Sequence, residues 1–123
     1  MPRVRLVLYR DSDGTVPLLE WFDTLPSKVL DKCRAWLRRL RDQGHELRRP
    51  DADYLRDGVY ELRVGFRGAN YRMLYFFSGR EVVVVSHGIV KERTVPPKQI
   101  DLAVSRMNQF RRNPTAHSHH EEI

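Results

Sequence analysis

The chain has a single cysteine, Cys33, so it can form no intramolecular disulfide, and nothing in it points to an oxidising compartment. It has no apolar run approaching the roughly 20 residues that a bilayer-spanning helix needs. The N-terminal stretch MPRVRLVLYRDSDG is too charged, and its apolar part too short, for a signal peptide. The expectation is a soluble cytoplasmic protein with no membrane contact. A phosphate-binding glycine loop, an HExxH zinc motif, a serine or cysteine triad and internal repeats are all missing. His117, His119 and His120 near the C-terminus have no accompanying set of ligands. Neither a metal nor a cofactor is therefore expected. Lysine is scarce: arginine greatly outnumbers it among the 22 basic residues. That bias favours forked, bidentate grip of phosphate over simple solubility. Any chemistry must come from cationic and imidazole groups.

What is present fits one modest domain. The 123 residues are 41% hydrophobic, which suffices for one core, and carry a net charge of +6 with a pI near 9.9, which points to a polyanionic partner. The organising stretch runs from Gly58 to Arg93, GVYELRVGFRGANYRMLYFFSGREVVVVSHGIVKER. It reads as three strands joined by tight turns at Arg67-Gly68 and Gly79-Arg80. Tyr60, Leu62, Val64 and Phe66 alternate with polar residues, and Tyr71, Met73, Tyr75 and Phe77 continue that apolar face. With two-residue loops, Arg63 falls opposite Arg72, and Arg72 opposite His87, on strands about 5 Å apart. Like charges placed opposite one another destabilise a sheet, so such a row implies an anionic ligand. The same face would carry Leu74, Phe76, Val83 and Val85, which a helix or a partner segment must cover.

Around this meander, residues 4–9 read as an outer strand and Asp11–Gly14 as a turn. A short helix comes next, with Pro17 in its first turn. Pro26 opens a longer helix with Val29, Cys33, Trp36, Leu37 and Leu40 at helical spacing, and Gly44 stops it. Its opposite face bears Lys28, Lys32, Arg34, Arg38, Arg39 and Arg41. Residues 45–57 read as a polar connection. Thr94 is placed to cap a last helix with Pro96 and Pro97 in its first turn and Ile100, Ala103, Met107 and Phe110 as its stripe. Residues 1–113 would form the domain and 114–123 a disordered tail. The fold class is α+β: a twisted, mostly antiparallel sheet of about four strands, an N-terminal helical hairpin and a C-terminal helix.

This order of elements resembles the RelE/HigB toxin superfamily. The resemblance sharpens at Val59-Tyr-Glu-Leu-Arg63, Tyr71-Arg-Met-Leu-Tyr75, His87-Gly-Ile-Val-Lys91 and Pro96-Pro-Lys-Gln-Ile100, a succession similar to the phage-derived HigB-like branch. It implies a RelE-like fold and the toxin of a type II toxin–antitoxin pair. Such a toxin is a metal-independent, ribosome-dependent endoribonuclease in which the RNA 2′-hydroxyl attacks the adjacent phosphate. The partners implied are the ribosome, mRNA and a cognate antitoxin, a helix-turn-helix protein of HigA-like type. By the same resemblance Arg63 and Arg72 match basic strand positions, Arg72 being the one that contacts the scissile phosphate, and Lys91 and Arg93 match a basic cluster after the last strand. Arg67, Arg48 and Arg49 would join Arg93 in binding RNA. RelE-like members often have lysine where Glu61 stands, and a late tyrosine has no counterpart in this chain.

The reaction needs charge stabilisation on a phosphorane-like transition state, a base and an acid. Arg63 and Arg72 suit the first task. His87 titrates in the right range for acid or base work, and Lys91 can supply a cation or a base. Glu61 shares a face with Arg63 and is expected to pair with Arg63 or Arg72 in the free protein. Two alternatives stay open: a non-catalytic RNA- or ribosome-binding module, and a phage-derived protein-interaction domain of the same fold.

Overall fold

A computed structural model describes residues 3–90 and 93–123. The expected catalytic Lys91 lies outside the described residues. In chain order the elements are β1 (Arg5–Tyr9), α1 (Pro17–Phe22), α2 (Ser27–Gln43), β2 (Ala52–Arg56), β3 (Val59–Phe66), β4 (Ala69–Ser78), β5 (Val82–Val90), α3 (Pro97–Arg112) and β6 (Ser118–His119). The strands form one six-stranded sheet in the order β2-β3-β4-β5-β1-β6, antiparallel except where β1 runs parallel to β5. No helix of the described residues is long and apolar enough to cross a membrane.

The α+β class holds, but the sheet has two more strands than expected. The first addition is β2, within the stretch read as a polar connection. Asp57 and Gly58 both take positive φ, 53° and 88°, and close a two-residue hairpin between Arg56 and Val59. Asp-Gly is a strong short-hairpin signal, and it was present in the sequence. The second is β6, in the tail expected to be disordered. Ser118 and His119 pair with Tyr9 and Leu8, so β1 is not the outermost strand. Beyond them the chain meets α2, where Arg34 and Arg38 donate to the carbonyls of Glu122 and Ile123. Lys32 donates to Gly65 O at 2.6 Å and Arg39 pairs with Asp51 at 2.6 Å, so much of the basic face of α2 is spent on contacts within the chain.

The helices divide the sheet's two faces. On one, α1 and α2 cover Leu62, Val64, Met73, Tyr75, Val83 and Val85, with Val29, Cys33, Leu37 and Leu40 as the buried stripe of α2. Burial pushes the Cys33 thiol up to about 12, which leaves it inert as a nucleophile. Trp21 lies flat over β5 at Gly88, where any Cβ would overlap its ring. On the other face, Ile100, Ala103, Met107 and Phe110 of α3 pack on Val7, Val59, Leu74, Phe76 and Val84. Thr94 does not cap α3: Pro96 occupies the N-cap and Pro97 the first turn, with no side-chain cap.

Two irregularities correct the expected register of β5. Arg63 does stand opposite Arg72, because the Arg67-Gly68 turn has two residues. The next loop has three, so Ser78 pairs with Val82, and Val84, not Val83 or Val85, joins Phe76 under α3. Each one-residue slip inverts a strand's faces. A bulge at Ser86 then inverts them back. As a result His87 lies opposite Leu74, and Ile89 takes the place across from Arg72.

Candidate functional site

The α3 face of the sheet is not covered along its whole length. Where β3 and β4 run beyond α3, their polar side chains open onto a cavity of about 430 Å³ lined by Asp53, Leu55, Glu61, Arg63, Asn70, Arg72, Arg93, Thr94 and Val95. β3 contributes Glu61 and Arg63 two residues apart, hence on one face, and β4 sets Arg72 beside Arg63. β2 contributes Asp53, opposite Glu61.

Three arginines and two carboxylates thus share the cavity. Glu61, only 2% exposed, places Oε1 3.1 Å from Arg72 Nη1 and 3.3 Å from Arg63 Nε, while Arg63 Nη2 donates to its Oε2 at 3.3 Å. The two Oε1 contacts have the distance of ion pairs but not the alignment of hydrogen bonds: Glu61 Oε1, Arg63 Nε and Arg72 Nε are all buried without a hydrogen-bond partner. Asp53 Oδ2 takes a second contact from Arg63 at 3.3 Å and one from Arg49 at 3.1 Å. Hydrogen bonding from Arg49 is the main cause holding the Asp53 carboxyl below its usual range. Arg72 is only 7% exposed; it lines the cavity, and its Nε is buried without a hydrogen-bond partner. A guanidinium that is largely desolvated and lines a cavity suits an oxyanion that arrives from outside.

Of the residues singled out in the sequence, the structure brings together Arg63, Arg72, Arg93 and Glu61, with Arg49 reaching in through Asp53. Arg67 is at the tip of the β3–β4 hairpin, over the Phe66 ring at 5.2 Å, and Arg48 is exposed in the connection before β2; neither lines this cavity. His87 does not line it either. Its ring is closed in beneath α3, with Nδ1 2.7 Å from Ser86 Oγ and Nε2 2.8 Å from Gln99 Oε1. Gln99 Oε1 accepts from Nε2–H, so Nδ1 accepts from the Ser86 hydroxyl, which in turn accepts from Arg106 at 3.4 Å. Every polar atom of the neutral ring is satisfied. Burial is the main cause that lowers its pKa from 6.5 to about 4, with the nearby Arg106 charge acting in the same direction.

This has a stability consequence of definite sign. The unfolded chain takes up a proton on His87 as pH falls below about 6.5, whereas the folded chain resists until about 4. Stability contributed by the neutral ring is therefore full above 6.5 and lost progressively toward 4, by roughly 2–3 kcal/mol over the window. Urea melts at pH 7.5 and 4.5 should show a smaller pH difference in His87→Asn than in wild type by that amount. Equal differences in the two proteins would show that His87 is not held neutral by the fold.

The sequence reading missed Asp53, which ties the arginines of two elements together, and the Ser86–Arg106 support of His87. The sign for the first was the Asp57-Gly58 hairpin, which brings β2 alongside β3. In the tail, His117 accepts no ligand role: its Nδ1 lies 2.7 Å from Arg10 O and its ring stacks on Tyr9. Among the described residues no three His, Cys, Asp or Glu side chains are grouped to hold a metal.

Compared with known protein families, residues 20–108 match the family described as Phage derived protein Gp49-like (DUF891). The chain belongs to that family. The Gp49-like proteins are a family related to the RelE/HigB-like toxins of toxin–antitoxin systems, and the matched span runs from within α1 to most of α3, including every described arginine of the cavity. No curated protein matches the chain.

Proposed function

We propose that this Gp49-like protein is the toxin of a type II toxin–antitoxin pair, of the HigB-like branch, and that it cuts mRNA on the translating ribosome. The observation that carries this reading is the opposition of Arg63 and Arg72 on adjacent strands, both lining the cavity, with Arg72 largely buried. The family's relation to toxins supports it. Two guanidiniums side by side match the paired oxygens of a phosphodiester and supply positive charge where the transition state accumulates negative charge. The 2′-oxygen forms a bond to phosphorus as the bond to the 5′-oxygen breaks, giving a 2′,3′-cyclic phosphate and a 5′-hydroxyl. When a phosphate draws Arg63 away, Glu61 loses one of its two cations and becomes the carboxylate placed to take the 2′-hydroxyl proton. Arg93 lines the mouth for the flanking backbone, and Lys91, assigned from its sequence position by the resemblance, gives the leaving 5′-oxygen the proton that makes it a hydroxyl. His87, neutral and sealed under α3, acts as a structural group in this scheme. A helix-turn-helix antitoxin, cytoplasmic location and contact with the ribosome complete the proposal.

The sealed position of His87 also favours a second reading, an RNA- or ribosome-binding module without cleavage. Induced expression separates the two. Wild type should arrest growth and leave new mRNA ends inside reading frames, and an Arg63→Ala/Arg72→Ala protein at equal soluble level should do neither. Growth arrest with intact mRNA would favour the binding module, and harmless expression of both would sink the toxin reading.

A further inference from the structure

A second cavity, of about 310 Å³, opens on the opposite face of β2 from the arginine cluster. Its size is at the small end for ligand sites, which run from about 300 to 1,000 Å³. Leu47 and Ala52 form its apolar floor, Tyr54 and Tyr60 one wall, and Arg48 and Arg49 its rim. Tyr54 is the most exposed of the large hydrophobic side chains among the described residues, at 53%, although it sits on the outermost strand. Edge strands ordinarily carry charge or proline there to discourage unwanted pairing. The exposed ring is nonetheless held in place. Its hydroxyl accepts from Gly58 N–H at 3.0 Å, its edge meets the Tyr60 ring at 5.0 Å, and Tyr60 stacks on Tyr75 at 5.3 Å. It is a rigid aromatic surface, backed by further rings and bordered by two exposed arginines.

The two cavities are neighbours. Asp53 lines both, and its Oδ2 is shared by Arg49 of the one and Arg63 of the other. β2 is an edge strand of the sheet, so an RNA strand with a phosphate on Arg63 and Arg72 would reach Arg49 beside Asp53 and cross that edge to the tyrosine wall. We propose that the Tyr54–Tyr60 cavity is a nucleobase subsite that stacks one unpaired base of the RNA, while Arg48 and Arg49 hold the adjoining phosphate. This rests on the reading of the arginine cluster as an RNA phosphate site. Aromatic platforms inside a cationic groove bind single strands with little sequence preference, because every base offers a π-face.

The test uses single-stranded hexaribonucleotides carrying one 2-aminopurine at each position in turn, and matching strands with an abasic site. Wild type should quench 2-aminopurine at one position, and an abasic site there should weaken binding about 5- to 100-fold. Tyr54→Ala should lose that quenching and the sensitivity to the abasic site, with the salt dependence of binding unchanged because no charge is removed. Tyr54→Phe, which lacks the hydroxyl contact but keeps the ring, should retain both. Arg48→Ala/Arg49→Ala should flatten the salt slope by about one to two. Quenching by Tyr54→Ala equal to that of wild type overturns the subsite. If that happens while Arg63→Ala/Arg72→Ala still abolishes cleavage, the subsite alone has failed. If wild type neither cuts nor binds RNA even at low salt, the phosphate site and the subsite fall together.

Discussion

Replacing Arg72 with Ala is expected to slow RNA cleavage by about 10²–10³-fold, the usual cost of removing one preorganised transition-state donor. RNA affinity should fall by less than tenfold. The asymmetry comes from where Arg72 sits. Its guanidinium is almost wholly buried, faces Glu61 on one side and the cavity on the other, and has a buried Nε with no partner. For the proposed RNA ligand it would add little long-range attraction, since Arg48, Arg49, Arg67 and Arg93 are all more exposed. In the proposed reaction it stands instead where charge builds up as the phosphate becomes five-coordinate. Arg72→Lys is expected to recover only a small part of the rate, because an ammonium cannot reproduce the planar fork. The check is single-turnover cleavage of ribosome-bound mRNA, set beside binding of the same RNA over a range of salt concentrations. Parallel losses of rate and affinity would assign Arg72 to ground-state binding alone.

The parts of this arrangement that were legible in the sequence are those governed by local rules. The β3–β4 register came from the positive-φ pair Arg67-Gly68, and with it the opposition of Arg63 and Arg72. The stripe of α2 and that of α3 came from helical periodicity. The failures depended on one residue more or less. Glu81 lengthens the loop after β4, and Ser86 bulges from β5. Each inverts the faces of the strand residues beyond it, so together they carry His87 two places along the sheet and beneath α3. Alternation cannot register such a pair, because the apolar residues Val83–Val85 are buried on both faces and have no polar phase to slip against. β2 was missed for a different reason. Its residues, Ala-Asp-Tyr-Leu-Arg, have no clean apolar face, since Ala52 and Tyr54 alternate with Asp53 and Leu55, and only the Asp57-Gly58 turn and the cross-strand partners on β3 make them a strand. That omission also hid Asp53, the carboxylate that ties the arginine cluster to Arg49.

Glu61→Ala is expected to destabilise the protein by about 3–5 kcal/mol, a large share of the roughly 5–15 kcal/mol available to a domain. In wild type one buried carboxylate faces two guanidiniums, and among the described residues it is the only acid paired with Arg72. Its removal leaves the largely buried Arg72 charge without its carboxylate, whereas Arg63 is more exposed and keeps Asp53. If this reasoning holds, the loss should be repaired in two independent ways. Glu61→Leu/Arg72→Leu, which removes both charges, should be more stable than Glu61→Leu alone. Inorganic phosphate should stabilise Glu61→Ala more than wild type, because an anion from solution then occupies the space between the guanidiniums without competing with a resident carboxylate. Urea melts with and without phosphate measure both. A Glu61→Ala protein as stable as wild type, or one indifferent to phosphate, would mean that the arginine pair is no anion site, and the case for RNA cleavage would lose its central observation.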